Sequence, residues 1–484
     1  MKLLSKWSSS FSGKPGGTVK HKGKGDVHLK TKYVEPQKEI PILAETDVLV
    51  VGGGPAGFSA AIASARLGVD TILLERYGCF GGVLTQVGIE AIAWYRHEGT
   101  IEAGGLLKEI EATALSMGAA VKECQSDSQA IDAHLFRYVV DQMLSKANVR
   151  PILHCYAVAT IVEDGVIKGV VTESKSGRQA ILAKRIIDCT GDADIVALAG
   201  APYHKAPKDE LMFASQIFSV KGVQSEKFLD YVHNELKPTY KDWNGNAWNQ
   251  KIDPAAADLF SPYLEKVFIE AIESGLLEPE DQVSYGGTWS SVYPNGDVTQ
   301  INMVSIRKID CTDVFDLTRA EMVGRRNCIK LLQVLRNAVP GFEKASLRNF
   351  GMTLGTRESR LIQGQYTMTA DDIFNQGRHS DSIAIYPEFI DGREYLVLPL
   401  TGRYYQIPYR ALVPQAIENL LVAGRCISGD PIAHTSFRNM SCCVATGQAA
   451  GTAAALSIGQ STGTSTIDIK ALQSQLVAQG VRID

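Results

Sequence analysis

The stretch DVLVVGGGPAG, residues 47–57, decides the fold. After Asp47, residues 48–51 form an apolar run that ends at a glycine, which is typical of a central strand buried on both faces of a parallel sheet. Three glycines follow at the spacing G-x-G-x-x-G, and small apolar residues between Ala60 and Leu67 predict a helix that ends at Gly68. A strand, a glycine turn and a helix in this order predict a nucleotide-binding α/β fold.

Each glycine of the turn has its own physical reason. Gly52 permits the tight turn, Gly54 lets the backbone approach a pyrophosphate, and Gly57 lets the helix pack close to the strand. The N–H groups of the first helical turn, at Ala56 and Gly57, would face the phosphates, and the helix dipole favours negative charge there. The turn therefore predicts a site for the pyrophosphate of a dinucleotide.

A second predicted strand, from Val69 to Leu74, ends at an acidic residue. Glu75 lies 18 residues after Gly57, where a carboxylate can accept hydrogen bonds from ribose hydroxyls. The same carboxylate would repel a 2′-phosphate, which disfavours NADP at this site.

Three later features favour FAD over NAD. Gly81 and Gly82 follow the second strand and would let the chain pass close to a long ligand. A further strand ends in the turn at residues 190–192, and residues 447–451, GQAAG, open another helix of small residues. A flavin needs such a late segment because its ring lies far from its adenine, so the sequence predicts FAD as the cofactor.

These motifs resemble those of the FAD-dependent oxidoreductases, within the glutathione-reductase type of flavoprotein. The resemblance runs in order over about residues 40–460 and rests on five segments: residues 47–82, 187–194, 355–360, 419–425 and 447–456. It does not extend to two features of the disulfide reductases in that superfamily. Cys79 is followed by Leu84 instead of a second cysteine five residues on, and no second glycine fingerprint for NADPH is present.

The resemblance implies which residues hold the cofactor. They are Gly52, Gly54, Ala56, Gly57, Glu75, Arg76, Gly81, Gly82, Val158, Gly191, Asp192, Gly424, Arg425, Gln448 and Ala449. Val158 is expected to touch the adenine through backbone atoms. The helix opening at Gly447 is expected to aim its N-terminus at the flavin ring, where it would stabilise negative charge on the reduced form.

Three residues are candidates for the reacting side, each with a structural alternative. His434 lies between two segments expected near the flavin, and could act as an acid or base there or only hydrogen-bond to the backbone. Arg357 and Arg360, three residues apart on a predicted helix, suit an anionic substrate or ordinary ion pairs. Tyr405 lies on a predicted strand at residues 402–409 and could stack on flavin or substrate, or pack in the core.

The expected fold class is α/β: a Rossmann-like FAD-binding domain, with a parallel sheet and an antiparallel insertion, plus an inserted α+β substrate domain. The predicted divisions are a flexible basic tail at 1–43, the FAD-binding domain at 44–200 and 396–465, the substrate domain at 201–395, and a C-terminal segment at 466–484. The predicted helices after the first are residues 130–147, 316–338, 356–364 and 444–458. Strands with tight turns are expected over residues 152–188.

Composition limits the classes of partner, cofactor and compartment that we expect for this protein. The tail carries nine lysines against three acids, a net +6, whereas the whole chain carries −4, so the rest is acidic and nucleic acid is not expected as the main partner. The nine cysteines include no C-x-x-C pair, which argues against a metal centre or a disulfide framework and fits a cytoplasmic protein. No apolar run reaches 18 residues, so a membrane span is not expected. The sequence leaves open whether the protein forms a homo-oligomer.

The function predicted from these motifs is oxidation of a small polar organic substrate by hydride transfer to flavin N5. Reoxidation would be by oxygen or an external electron acceptor. One alternative is the reverse reaction, a flavin-dependent reductase of an activated double bond, similar to fumarate reductase or ketosteroid dehydrogenase. Another is a non-catalytic protein that binds a dinucleotide.

Overall fold

A computed structural model of the chain describes residues 33–92, 102–122, 129–236, 264–278, 283–288, 291–392, 395–397 and 402–484. Most of the predicted basic tail, residues 1–32, lies outside the described residues. The first strand begins at Ile42, a little before the predicted start of the FAD-binding domain.

The described residues form nineteen strands. They are β1 Ile42–Val51, β2 Thr71–Leu74, β3 Ala120–Lys122, β4 Gln129–Ile131, β5 Arg150–Ile152, β6 Tyr156–Glu163, β7 Val166–Ser174, β8 Gly177–Asp188, β9 Tyr203–Lys205, β10 Ala214–Lys221, β11 Val283–Thr288, β12 Val298–Ile306, β13 Ser346–Phe350, β14 Arg360–Ile362, β15 Ser382–Pro387, β16 Ile390–Gly392, β17 Tyr395–Val397, β18 Tyr404–Pro408 and β19 Leu420–Val422.

The helices vary from a single turn to 25 residues. They are α1 Pro55–Ala65, α2 Leu106–Ser116, α3 Leu135–Lys146, α4 Asp194–Leu198, α5 Ser225–Tyr231, α6 Glu265–Glu273, α7 Val314–Ala338, α8 Ala370–Phe374, α9 Pro431–Phe437, α10 Met440–Gly459 and α11 Ile469–Ala478. Within the described ranges, every helix is too short or too polar to cross a bilayer.

The principal sheet has the order β5-β2-β1-β8-β7-β6, and β19 pairs with the end of β8. Strands β5, β2, β1, β8 and β19 are parallel, whereas β7 pairs antiparallel with β6 on one side and with the first half of β8 on the other. The apolar run Val48–Val51 is buried, and helices α1 and α10 pack against its strand. The predicted α/β class with an antiparallel insertion is confirmed.

A second, smaller sheet is formed by strands that lie between β8 and β19 in the chain. It has the order β11-β12-β10-β13, and all its strand pairs are antiparallel. The long helix α7 packs against this sheet. Asp313 caps that helix, because its carboxylate accepts hydrogen bonds from the backbone N–H groups of Phe315 and Asp316. The predicted helix at 316–338 is therefore confirmed and begins at Val314.

The buried apolar side chains form two clusters. The smaller cluster runs from Ala214 to Leu354 along the chain, whereas the larger one combines residues 48–201 with residues 362–481. Residues between Ile362 and Ile390 thus pack with the larger core, although the sequence assigned 201–395 to the inserted domain. Leu472 and Leu476 of α11 pack there too, so part of the predicted C-terminal segment belongs to this core.

Three predicted helices differ from the structure. Residues 355–359 have no helical structure and continue into β14, which pairs with β9, so the predicted helix at 356–364 is wrong. Helix α10 begins at Met440, four residues before the predicted 444. The predicted helix at 130–147 begins at Leu135, because the Asp132 carboxylate accepts hydrogen bonds from the N–H groups of His134 and Leu135.

Candidate active site

The carboxyl ends of four parallel strands open onto one cavity of about 580 Å³. Gly52 follows β1, Glu75 follows β2, Cys189 follows β8, and Gly424 follows β19, and all four residues line the cavity. Open α/β sheets bind ligands at this edge, because loops and helix N-termini meet there. The volume is in the range of cofactor and substrate pockets.

The glycine turn forms one wall of the cavity, and packing explains two of its glycines. Gly52 has φ +99°, and an added Cβ would lie 2.5 Å from the carbonyl oxygen of Cys189. A Cβ on Gly57 would lie 1.7 Å from the carbonyl oxygen of Gly52. Gly54 differs, because its added Cβ would meet only the Cα of Gly82, at 3.7 Å. Gly54 therefore faces open space on the cavity side, where a pyrophosphate would need to approach.

Helix α1 leaves its N-terminus available to an anion. Gly54 is the N-cap residue and offers no side chain to the first turn, and Pro55 follows it as the first helical residue. The dipole of α1 and the uncapped N–H groups of that turn favour a phosphate at this point.

Glu75 is buried, and its carboxylate is hydrogen-bonded to the backbone of the glycine turn. Its Oε2 accepts a hydrogen bond from Gly53 N at 2.7 Å, and its Oε1 accepts one from Tyr77 N at 2.9 Å. Each carboxylate oxygen retains a lone pair, so this side chain can still accept from a ribose hydroxyl. The carboxylate thus fixes the loop as well as lining the cavity.

The turn after β8 is organised by a fully buried carboxylate. Asp188 accepts hydrogen bonds from Thr190 N and Oγ1 and from the N–H groups of Ile195 and Val196. Burial raises the pKa of Asp188 to about 6. These bonds hold the following residues, Gly191 and Asp192, at the cavity wall.

Asp192 is joined to two other parts of the chain. Its Oδ1 lies 2.8 Å from Nη2 of Arg425 and accepts a hydrogen bond from Ser359 Oγ at 2.5 Å. Burial alone would raise the pKa of Asp192, but the Arg425 guanidinium outweighs it and holds the pKa below its usual value. The pair ties β19 to the turn after β8 and leaves little net charge there.

The predicted cofactor residues divide into two groups. Those that line the cavity are Gly52, Gly54, Ala56, Glu75, Arg76, Gly82, Gly191, Asp192, Gly424 and Arg425. Those that are described but lie outside its lining are Gly57, Gly81, Val158, Gln448 and Ala449. In β6 it is the neighbouring segment Cys155–Ala157 that reaches the cavity.

Gln448 and Ala449 lie outside because their helix packs on α1. A Cβ on Gly447 would lie 2.1 Å from the carbonyl oxygen of Ala56, and one on Gly451 equally close to that of Ala60. The Gln448 side chain points away from the cavity, and its Oε1 accepts a hydrogen bond from Leu106 N. The small residues of this segment thus serve helix packing.

The N-terminus of α10 does line the cavity, but seven residues earlier than predicted. Asn439, Met440 and Cys443 belong to the lining, and the Asn439 side chain makes no capping hydrogen bond. The expectation that a helix N-terminus faces the cavity therefore applies at Met440, not at Gly447.

Two of the three catalytic candidates are buried away from the cavity. His434 on α9 is fully buried against Phe437 and does not belong to the described lining. Tyr405 on β18 is also fully buried, and its hydroxyl lies 2.9 Å from Ser436 Oγ. A side chain without access to the cavity cannot exchange a proton with a substrate there, so this placement does not support catalytic roles for His434 and Tyr405.

Arg357 does line the cavity, without Arg360. Its Nη1 lies 3.5 Å from Asp391 Oδ2, and its guanidinium lies over the Phe213 ring at 4.3 Å from the ring centre. Arg360 pairs instead with Asp194 at 2.8 Å. The two arginines diverge because the segment is not helical.

Sequence reasoning missed the polar residues that the smaller core contributes. Ser215 of β10, Gln300 and Asn302 of β12, and Glu321 of α7 all line the cavity. It also missed Asp391. Each is a single polar residue in an otherwise ordinary strand, helix or loop, so only the tertiary structure brings them together.

A family model described as FAD dependent oxidoreductase matches residues 47–476. The chain belongs to this family. The family is one of oxidoreductases, and FAD is its cofactor. The strand, turn and helix at residues 47–65 and the acidic residue after β2 lie within the matched range.

Relatives of this FAD-dependent oxidoreductase match shorter parts of the chain. Dihydrolipoyl dehydrogenase of Buchnera aphidicola is 58% identical over 43 residues, 9% of each chain. Thiamine thiazole synthase of Saccharolobus islandicus is 28% identical over 197 residues, which are 38% of this chain and 66% of that protein. The chain thus spans only about a tenth of the length of the dihydrolipoyl dehydrogenases that it matches.

Among solved structures, one described as geranylgeranyl bacteriochlorophyll reductase-like, from Thermoplasma acidophilum, aligns over 91% of this chain and 85% of its own. The identity is 14% and the TM-score is 0.47.

Proposed function

We propose that this FAD-dependent oxidoreductase oxidises a small polar organic molecule in the part of the cavity that lies between the two cores. Bound FAD would supply the hydride acceptor, flavin N5, and its reoxidation would fall to oxygen or an external acceptor. The larger core would hold the cofactor and the smaller core would contribute to the substrate side. The observation that carries this proposal is the single cavity, which joins the glycine turn to polar side chains of β10, β12 and α7.

The residues present fit an FAD molecule at the glycine turn. Gly54 leaves space where a Cβ would stand, α1 presents an uncapped N-terminus, and Glu75 lines the wall beside them. Gly82 approaches Gly54 so closely that a Cβ on Gly82 would lie 2.6 Å from the Cα of Gly54. Backbone on both sides thus forms a narrow cradle that is suited to a pyrophosphate.

Residues of the cavity wall would set the local charge, offer hydrogen bonds to the substrate and exclude water. Arg425 and Asp192 neutralise each other at the wall, so the charge near them is fixed by the protein. Ser215, Gln300 and Asn302 offer hydrogen-bonding atoms on the side of the smaller core. Val87, Leu317 and Leu354 add apolar surface that excludes water from that side.

An anaerobic metabolite screen tests this proposal. The purified protein is expected to show flavin absorbance, and an alcohol, hydroxy acid or amine from the screen is expected to bleach it. Loss of the bands together with formation of the oxidised product would identify the substrate. A protein with no flavin bands, and no gain on addition of FAD, would contradict the proposal.

The reverse reaction, reduction of an activated double bond, is a second candidate that one observation favours. Burial lowers the pKa of Arg357 to about 10, which makes this cavity residue a better proton donor than an ordinary arginine. In that case the chemically reduced enzyme should be reoxidised rapidly by an activated alkene and slowly by oxygen. Rapid reoxidation by oxygen alone would favour the oxidative direction.

A further inference from the structure

Two arginines of the cavity wall, Arg357 and Arg438, form ion pairs with the same carboxylate. Arg438, at the end of α9, donates from Nη2 to the Asp391 carbonyl oxygen at 2.5 Å and to Asp391 Oδ2 at 3.0 Å. Arg357 Nη1 lies 3.5 Å from the same Oδ2 atom. Two guanidinium cations thus share one carboxylate oxygen, and all three residues line the cavity.

The other acids of the lining that form ion pairs have their own cations. Asp192 pairs with Arg425 at 2.8 Å, Asp194 with Arg360 at 2.8 Å, and Glu321 with Arg325 at 2.7 Å. Asp391 differs from these acids, because two guanidinium groups of the described lining lie within 4 Å of its carboxylate. The net charge of that cluster is +1, because arginine is a cation near neutral pH and the two guanidinium groups hold the pKa of the Asp391 carboxyl below its usual value, although desolvation acts in the opposite direction.

The hydrogen-bonding capacity of this pair is largely unused. Nε of Arg438 is buried and makes no hydrogen bond within the described part of the chain. Among the described residues, Arg357 makes a 3.3 Å hydrogen bond to Ser215 Oγ besides the long contact with Asp391. Each guanidinium has five N–H donors, so several remain for a ligand. The side chains of Arg357 and Arg438 are only 16% and 11% exposed, which removes most competition from water.

Neighbouring groups add to the attraction for an anion. Asn439 and Met440, directly after Arg438, begin the 20-residue helix α10, and both line the cavity. The positive end of that helix dipole therefore lies on the same side. Phe213 supports the Arg357 guanidinium from one face and fixes its plane.

From this arrangement we infer that Arg357 and Arg438 bind a carboxylate group of the substrate, with Asp391 as the residue that positions both guanidinium groups. This inference deepens the proposed function by assigning the substrate class: an organic acid, held by its carboxylate. Planar guanidinium forks match a carboxylate with two parallel hydrogen bonds.

Calorimetric titration of the FAD-loaded protein tests this assignment. The probes are acetate, hexanoate and benzoate, each compared with its primary amide, which has nearly the same shape but no charge. At least one carboxylate is expected to bind about tenfold or more tighter than its amide, since hydrogen bonds to charged groups are the stronger ones. Equal affinity of every acid and amide, or no binding by any carboxylate, would overturn the inference.

Variants connect the binding to the named residues. R438M and R357M are expected to weaken carboxylate binding about 10- to 100-fold, and to leave amide binding unchanged. R438K and R357K keep the charge but lose the fork, so a smaller loss is expected, and they carry the test if the methionine variants do not fold. R150M is the matched control, because Arg150 forms an ion pair with Asp70 outside the lining. Unchanged carboxylate binding in the arginine variants would overturn the assignment.

The FAD content of each variant separates this inference from the proposed function. If the arginine variants lose FAD while the control keeps it, the pair serves the cofactor's phosphates and the carboxylate assignment is wrong. If the unmodified protein itself holds no FAD, the proposed function fails, whereas the titration with acids and amides still decides the inference.

Discussion

Gly54 and Gly57 stand three residues apart in the same turn, yet an added methyl group meets different surroundings at each. At Gly57 it would collide with the backbone of Gly52, whereas at Gly54 it would enter the cavity. The packing of the fold therefore requires glycine at position 57, and the ligand requires it at position 54. This difference lets a substitution separate folding from cofactor binding.

We expect G54A to fold and to lose FAD. Its Cβ meets only one atom, at 3.7 Å, and the backbone φ of −72° suits alanine. FAD affinity should fall at least about tenfold, or about 1.4 kcal/mol, because the methyl group occupies the space of the pyrophosphate. Flavin absorbance per protein and thermal melting measure the two properties.

G459A is the matched control for that variant. Gly459 ends α10, and an added Cβ would meet nothing within 4 Å. This variant should retain FAD and fold normally. Full FAD content in G54A would refute the placement of the pyrophosphate.

Glu90 gives the protein a predicted dependence of stability on pH. Burial raises the pKa of its carboxyl from 4.5 to about 7, although Thr299 donates a hydrogen bond to it. The native state thus keeps a proton that the unfolded chain releases, so stability should fall as pH rises from about 4.5 to 7. Asp188, with its pKa of about 6, contributes in the same direction.

We expect E90Q to raise the free energy of unfolding at pH 8 by about 1–3 kcal/mol, because a shift of this size costs about 1.4 kcal/mol per pKa unit. The variant should gain little at pH 4. Urea denaturation at both pH values measures it. E109Q is the control with opposite sign, since the Glu109 pKa is lowered by its hydrogen bond with Arg66. A gain for E90Q that is the same at both pH values would contradict this account.

At the scale of elements, helices α1 and α10 lie in close contact across small residues. Gly447 and Gly451 each face a carbonyl oxygen of α1 so closely that a Cβ would lie 2.1 Å away. Glycine in a helix normally costs about 1 kcal/mol relative to alanine. Here the close approach of the two backbones requires it.

G451A is therefore expected to destabilise the protein by about 1–3 kcal/mol or more, the usual range for overpacking a core. G459A, in the same helix but with no neighbour within 4 Å, should be neutral or slightly stabilising. Denaturant unfolding compares the two variants. A G451A protein as stable as the G459A protein would show that the helices separate easily.

Sequence alone was sufficient for the elements whose signal is local. The strand at Val48–Val51 and the glycine turn have a pattern that a single window contains. The start of α10 was missed because its first turn, residues 440–443, is not rich in alanine, although Asn439 is a residue type that favours the N-cap position. The segment at Arg357 was taken for a helix because arginines three apart fit that spacing, whereas pairing of β14 with β9 overrides it.

The site was predictable only where the ligand imposes a local motif. The glycine turn and Glu75 follow from one stretch of chain, so the cofactor side of the cavity was largely anticipated. Asp391 and Arg438 come from separate elements, and the direction in which each side chain points depends on packing. Their convergence is a property of the tertiary structure, for which the sequence has no periodic signal.

For the whole molecule, the two hydrophobic cores meet around the cavity. Residues 48–201 and 362–481 build the larger core, and the smaller core is inserted between them in sequence. A ligand in the cavity would contact both. Binding of FAD to the native state alone should therefore stabilise the whole protein by mass action.

We expect added FAD to raise the thermal midpoint of the FAD-depleted protein, by the equivalent of about 2.7 kcal/mol at a concentration 100 times the dissociation constant. Differential scanning fluorimetry measures this shift. AMP is the control ligand: it lacks the pyrophosphate and the flavin, so its effect should be smaller. Equal shifts with FAD and AMP would contradict a cradle for the whole dinucleotide.

The pairing of β19 with β8 and of α10 with α1 also has a consequence for synthesis of the protein. The glycine turn leaves the ribosome long before the cavity walls made by Gly424 and Cys443 are translated. A nascent chain that has completed only its first strands and helices therefore has only part of the cofactor cavity. Cofactor loading must wait until these later residues have been translated, and until then the chain must hold its first half together without FAD.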